Sequence, residues 1–470
     1  MLTKLKKFKW LEQPGFNFFI FVLILLVLRI FFRNQMLELD EAEQVAMAQE
    51  LFAGYPAQPP LYSWLQYGIF QLLGINLLSL AFLKSVLIFG SLYLYHQICR
   101  FHCQSLTLAW CATVSWALIP VISLTLVKDG THSILALFSA CLTWYWLILS
   151  TRITNFSWYL IFGLIIALGL LSKFNYLVFL GILFLSATTL NEYRYKLLNY
   201  KFILTLAISG LVVSPYFFWL IAHLDLGFRN AYKLMPADKE FSSGLLRLIK
   251  VIVLFIGPSF IVSRLVFPSK FKSTQSSLIN LLLVRYNLIC IPLLIIMVLT
   301  TGIKNFEARW LIPILFLYPL LYFSQLKEAI NFTLRIKFFI SFCLVIQLCC
   351  LTTLMQTSPH QLSKQFTLKQ ITKNFETRIA RVDFILSDSH WLLGNLKLIF
   401  PGVNTKLLVM NNSLSLPSGK SLIIWQSASS SFWLTYFATT ENLQQINYIQ
   451  DPKTLQTLAA YTYADKDNNS

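Results

Sequence analysis

Residues 37–65, LELDEAEQVAMAQELFAGYPAQPPLYSWL, set a group of acids, Asp40, Glu41 and Glu43 among them, a turn and a double proline between two apolar segments. The run before it, Phe16–Phe32 (FNFFIFVLILLVLRIFF), is apolar enough to cross a bilayer. A polar loop that starts acidic and ends rigid, held between such runs, reads as the chemical part of a membrane protein. The rest of the chain reads as its frame.

The composition agrees. Over 470 residues, 56% are hydrophobic and 12% charged, and the mean hydropathy is +0.63. No water-soluble globule hides that much apolar surface. The formal charge of +18 does not indicate nucleic acid, because Lys and Arg fall in short loops between apolar runs, with no basic stripe interleaved with aromatics. All eight cysteines lie in or beside apolar segments, which offers neither a disulfide framework nor a Cys metal site. The N-terminus MLTKLKKFKW resembles a signal sequence, but Arg33-Asn34-Gln35-Met36 provides no small-residue cleavage site, so the first span is expected to be retained.

Spans of about twenty apolar residues fall near 16–35, 77–99, 105–127, 131–150, 156–172, 174–190, 202–222, 246–267, 286–302, 310–325 and 338–356. The expected fold is therefore an α-helical polytopic membrane protein of about eleven transmembrane helices. Lys4, Lys6, Lys7 and Lys9 place the N-terminus in the cytoplasm. Alternation then sends the 36–65 loop, Lys128-Asp129, Lys173, the 223–244 and 301–309 loops and the C-terminal tail to the opposite face. The span at 246–267 is the weakest of the set, flanked by Arg247, Lys250 and Arg264 and interrupted by Gly257-Pro258. From about Thr357 the sequence turns polar. An amphipathic stretch to Arg381, apolar runs at Phe384–Leu386, Lys406–Met410 and Ser421–Trp425, and helical sequence near Glu441–Gln445 suggest a small α/β domain. The expected domains are thus 1–356, spanning the membrane, and 357–470, outside it.

Asp40 and Asp129 are the acids of most interest, since the topology puts both at non-cytoplasmic helix ends. An ionisable group beside a bilayer-flanked cavity is a functional candidate by default. The plainer readings are an interfacial acid facing water for Asp40 and a helix N-cap for Asp129. Lys128, Lys173 and Arg309 lie on the face that the positive-inside rule leaves poor in cations. Binding an anionic lipid phosphate explains them, and snorkelling to ordinary phospholipids is the competing explanation. His132 and His223 are scattered, without a His-x-x-x-His or Cys-x-x-Cys partner, so no metal and no cofactor is expected.

Taken together, Asp40-Glu41-Ala42, Gln58-Pro59-Pro60-Leu61-Tyr62, Lys128-Asp129, Leu171-Ser172-Lys173, Ser214-Pro215-Tyr216 with Trp219 and His223, and Asn305-Phe306-Glu307-Ala308-Arg309-Trp310 resemble the GT-C membrane glycosyltransferases of the family 39 type. That family includes lipid A aminoarabinose transferases, lipopolysaccharide-core sugar transferases and protein O-mannosyltransferases. The resemblance covers about residues 30 to 320. It implies a polyprenyl-phosphate sugar donor, transfer on the periplasmic face of the bacterial inner membrane, and lipid A, lipopolysaccharide core, another glycan or a protein as acceptor. Residue by residue, Asp40 matches the family's essential first-loop Asp, Asp129 its second acid and Lys173 the lysine of its Ser-Lys motif; beside them, Glu41 is a further candidate for catalysis, Lys128 and Arg309 for the donor phosphate, and Gln58, Tyr62, His223 and Glu307 for substrate binding. Gly130-Thr131-His132 departs from the family, which often has Ala-Pro after the acid.

The chemistry of the residues is compatible with that. Displacing a lipid phosphate from an anomeric carbon needs a base at the acceptor hydroxyl and cations on the leaving phosphate. No Gly-rich phosphate loop, Walker motif or Rossmann fingerprint is present, which argues against a nucleotide sugar. The competing class is a transporter or flippase, which also uses intramembrane charges and broken helices but is expected to show two matching halves. None is evident.

Overall fold

The computed structural model describes residues 12–32, 36–128, 130–153, 155–228, 234, 241–268, 277–326, 333–353, 359–376, 379, 382–408, 416–426, 446–450 and 457–465. In chain order the helices are α1 (Pro14–Phe31), α2 (Leu39–Met47), α3 (Leu61–Leu73), α4 (Leu77–His102), α5 (Leu106–Val114), α6 (Pro120–Val127), α7 (Thr131–Leu149), α8 (Phe156–Leu170), α9 (Asn175–Thr188), α10 (Asn191–Leu197), α11 (Phe202–Ala222), α12 (Leu224–Gly227), α13 (Phe241–Val266), α14 (Leu278–Thr301), α15 (Ile312–Leu315), α16 (Tyr318–Phe323), α17 (Thr333–Thr352), α18 (Pro359–Phe375) and α19 (His390–Ile399). The strands are β1 (Phe384–Ser387), β2 (Asn404–Leu407), β3 (Lys420–Gln426), β4 (Asn447–Gln450) and β5 (Thr457–Asp465).

Every predicted span coincides with a helix or a helix pair, and the chain is a multi-pass membrane protein. Among the described residues seven helices are individually long and apolar enough to cross, and the pair Leu106–Leu118 and Pro120–Val127, bent by 80°, is long and apolar enough only when taken together. The bend has a local cause. Ile119 precedes Pro120 and is extended (φ −98°, ψ 102°), because the proline ring disfavours helical geometry in the residue before it. Three further apolar helices, Phe156–Leu170, Asn175–Thr188 and Ala308–Phe323, are shorter. The segment expected at 246–267 is a continuous helix that starts earlier, at Phe241, and carries Pro258 within it.

The chain forms two compact units. The first comprises Met1–Arg29, Phe52–Tyr62 and Phe82–Thr353. Its interior is aromatic: Tyr95 stacks on Trp116 at 4.0 Å, and the Trp116 indole donates to the Phe316 carbonyl at 3.1 Å. Helices α8 and α11 pack closely because Gly163 has no side chain. A Cβ there would stand 2.8 Å from the Thr205 carbonyl oxygen, while the Thr205 hydroxyl donates to the Tyr159 carbonyl at 2.9 Å. With no hydrophobic drive between helices in lipid, small residues and interhelical hydrogen bonds supply the attraction.

The second unit comprises Ile30–Leu51, Ser63–Ala81 and Leu354–Ser470. The sheet domain is therefore not built from the tail alone, since it incorporates α2 and most of α3. Its five strands are ordered β2-β1-β3-β5-β4. β1 is parallel to β2 and β3, and β5 is antiparallel to β3 and β4. Helix α19 connects β1 to β2, and Ser389 caps it by accepting from the Leu392 amide at 3.3 Å. Ile385, Leu392, Leu393, Leu396, Leu422 and Ile424 share one core with Leu37, Ala42 and Val45. The helical sequence expected near 441–445 lies outside the described residues.

Candidate active site

In the helical unit two of the predicted site residues, Gln58 and Tyr62, belong to the segment 52–62. Three prolines stiffen this segment, and Ala57 adopts a left-handed conformation (φ 70°), which lets Tyr55 and Gln58 close a one-bridge turn. The segment is tied down at successive points. Gly54 lies so close to Trp219 that a Cβ would fall 2.1 Å from the indole. The Ala57 amide donates to the Leu226 carbonyl at 2.9 Å, and the Leu61 amide to the Leu171 carbonyl at 3.0 Å. Tyr62, at 1% exposure, brings its ring within 5.4 Å of His132.

His132 belongs to the turn that departs from the family pattern. Gly130 there has φ 117°, and a Cβ would meet the Thr125 methyl at 2.5 Å. A Cβ is thus excluded both by conformation and by space. Two residues on, the His132 Nδ1 faces the Ser172 carbonyl at 3.3 Å; since a carbonyl only accepts, Nδ1 carries the proton. The next residue, Ser133, receives the Lys173 ammonium at 2.8 Å between Nζ and Oγ. Lys173 is 9% exposed, so its charge is held among protein groups at the start of the α8–α9 turn. Ser172 is fixed by its hydroxyl, which donates to the Gly169 carbonyl at 2.6 Å.

His223 stacks on Trp219 with centroids 5.0 Å apart and planes 16° apart, and its Nδ1 donates to the Trp219 carbonyl at 2.9 Å. Tyr62 thus meets His132, Lys173 meets the next residue, Ser133, and His223 stacks on the Trp219 against which Gly54 lies. Glu307 and Arg309, expected in different roles, pair with each other: Arg309 Nε lies 2.7 Å from Glu307 Oε2, with side chains 40% and 34% exposed. An ion pair that exposed is worth little to stability.

Lys128 is half-buried at the end of α6. The residue that fixes it was not foreseen. Arg29, buried in the last turn of α1, donates Nη1 to the Val127 carbonyl at 3.0 Å and to the Lys128 carbonyl at 3.3 Å, satisfying two of the carbonyls a helix end leaves open. Its signal was present as a lone arginine inside an apolar run. Lys84, buried at 2% exposure within α4, is a second cation of that kind. Asp129 lies outside the described residues.

Asp40 and Glu41 belong to the sheet unit. Both occupy the first turn of α2, where the N–H groups of the helix start favour negative charge. Glu41 is buried at 3% exposure, whereas Asp40 is half-buried.

Comparison with known proteins gives these positions a context. Residues 57–219 match the family described as dolichyl-phosphate-mannose-protein mannosyltransferase. The chain is 31% identical over 301 residues to the lipopolysaccharide core galacturonosyltransferase RgtB of Rhizobium johnstonii, covering 62% of this chain and 61% of that protein. It is 27% identical over 312 residues to the lipopolysaccharide core galacturonosyltransferase RgtA of the same organism, covering 65% and 62%. The matched region therefore spans about three fifths of the length of these relatives. The fold is similar to that of ArnT from Cupriavidus metallidurans in its crystal structure with undecaprenyl phosphate, with a TM-score of 0.64 at 10% identity, covering 95% of this chain and 97% of that one. The apo form of the same protein gives the same TM-score at 9% identity.

Proposed function

We propose that this chain is a glycosyltransferase that takes a sugar from a polyprenyl-phosphate donor and attaches it to lipopolysaccharide core, working at the periplasmic face of the bacterial inner membrane. The observation that carries the reading is Lys173, a buried cation held by Ser133 within the region that matches the mannosyltransferase family. An ammonium at that turn can meet the charge of a lipid phosphate through charge-assisted hydrogen bonds. Lys128 and Arg309 are the further cations for it. The similarity to two lipopolysaccharide core galacturonosyltransferases favours a core acceptor over protein, and makes a hexuronosyl donor the first to test.

In the proposed step Asp40 takes the proton of the acceptor hydroxyl as its oxygen attacks the anomeric carbon. The bond from that carbon to the phosphate oxygen breaks, the configuration inverts, and polyprenyl phosphate leaves with its charge met by Lys173 and its neighbours. Glu41 and Asp129 complete the acidic set, and Gln58, Tyr62, His223 and Glu307 contact the sugars. The test is mass spectrometry of lipopolysaccharide and membrane glycoproteins from cells with the gene, without it, and complemented by the wild-type or Asp40→Asn chain. A core fragment lighter by one sugar in the deletion, restored only by wild type, is the expected result. An unchanged glycan profile refutes the reading.

A further inference from the structure

The C-terminal sheet domain has no role in the reaction as drawn, yet it holds the helix that carries Asp40. Helix α2 lies against α19. Ala42 and Val45 are fully buried in a core shared with Leu392, Leu393 and Leu396. The approach is closest at Gly394, where a Cβ would stand 2.3 Å from the Ala42 carbonyl oxygen and 2.5 Å from the Ala42 Cα. Only glycine admits the α2 backbone at that distance. Just before the helix, the Leu37 amide donates to Asn395 Oδ1 at 2.8 Å, and the Leu37 carbonyl accepts from the Trp391 indole at 3.2 Å. Just after it, Gln49 Nε2 donates to the Thr405 hydroxyl of β2 at 2.7 Å.

The α2 segment is thus fastened before, along and beyond its length to residues more than 350 positions away in the chain. Asp40 precedes Ala42 by two residues, about 200° around the helix, so the anchored face and the acid lie on opposite sides. A nine-residue helix is too short to be stable alone in water, and its position is set by what it packs on. From this geometry we infer that α19 of the sheet domain is the anchor that positions Asp40, with Gly394 and Asn395 as positioning residues for the acid.

The inference rests on the catalytic role proposed for Asp40, so its test pairs kinetics with a readout independent of activity. In the full-length protein in membranes, Gly394→Val is expected to lower kcat about a hundredfold, as a displacement near 1 Å does, while the KM for the polyprenyl-phosphate sugar stays within about twofold. Hydrogen exchange at residues 37–49 should accelerate while β3 and β5 remain protected. Asn395→Leu, which removes both the acceptor for the Leu37 amide and the donor to the Trp391 carbonyl, should behave similarly. Wild-type kcat in Gly394→Val overturns the inference. So does loss of protection throughout the sheet, because it indicates general destabilisation instead of positioning. A wild-type protein that transfers no sugar refutes the proposed reaction alone, and the exchange pattern then still decides the anchor.

Discussion

The Nζ of Lys173 lies 2.8 Å from the Oγ of Ser133, joining the α8–α9 turn to the first turn of α7. The serine hydroxyl accepts from the ammonium and orients it. If this charge serves the donor phosphate, Lys173→Ala raises the KM for a polyprenyl-phosphate sugar by about tenfold to a hundredfold, from 1.5–3 kcal/mol for a charge-assisted hydrogen bond. Ser133→Ala, which removes only the orienting hydroxyl, has a smaller effect in the same direction. Steady-state kinetics on purified protein in lipid checks both, and an unchanged donor KM in Lys173→Ala removes the residue from the donor site.

Asp40→Asn keeps the shape of the side chain and removes its basicity. Loss of a general base lowers turnover by about 10²–10⁴-fold, with expression and unfolding temperature unchanged, since Asp40 is only half-buried. Turnover near wild type would remove Asp40 from the mechanism and restore the plainer reading of an acid placed at a helix start.

Arg29 bridges the carbonyls of Val127 and Lys128. Arg29→Leu leaves both carbonyls without this donor, at about 1–3 kcal/mol for an unsatisfied buried group. The expected outcome is a lower unfolding temperature in detergent together with reduced activity. Arg29→Lys, which retains a donor and the charge, falls between the two. Equal stability of Arg29→Leu and wild type would show that the α6 carbonyls find other partners.

Gly130 combines a left-handed conformation with contact against Thr125. Gly130→Ala is expected to cost about 1–2 kcal/mol for the backbone alone, and more for the clash. The double variant Gly130→Ala with Thr125→Ser, which removes the clashing methyl, should recover part of that loss in a thermal unfolding measurement. No recovery would place the whole cost in the backbone.

Much of this protein was legible in the sequence because a bilayer imposes a one-dimensional rule. A helix crossing hydrocarbon must be apolar along about twenty consecutive residues, so each span announced itself, down to Leu171-Ser172-Lys173 as a polar break between two of them. Helix α19 and strands β4 and β5 were not foreseen, because Thr457–Asp465 (TLAAYTYAD) mixes polar and small residues and its burial is decided by the strands on either side. The candidate site was legible as residue types at helix ends, and its pairings were not. Arg309 and Glu307 are two residues apart and still meet as partners, while Arg29 caps a helix 98 residues away. The tertiary structure alone decided that Gly394 and Asn395, beyond the last membrane helix, underlie the helix that bears Asp40. Spacing along the chain fixes periodicity and span length, but contacts between segments hundreds of residues apart arise only when packing brings their surfaces together.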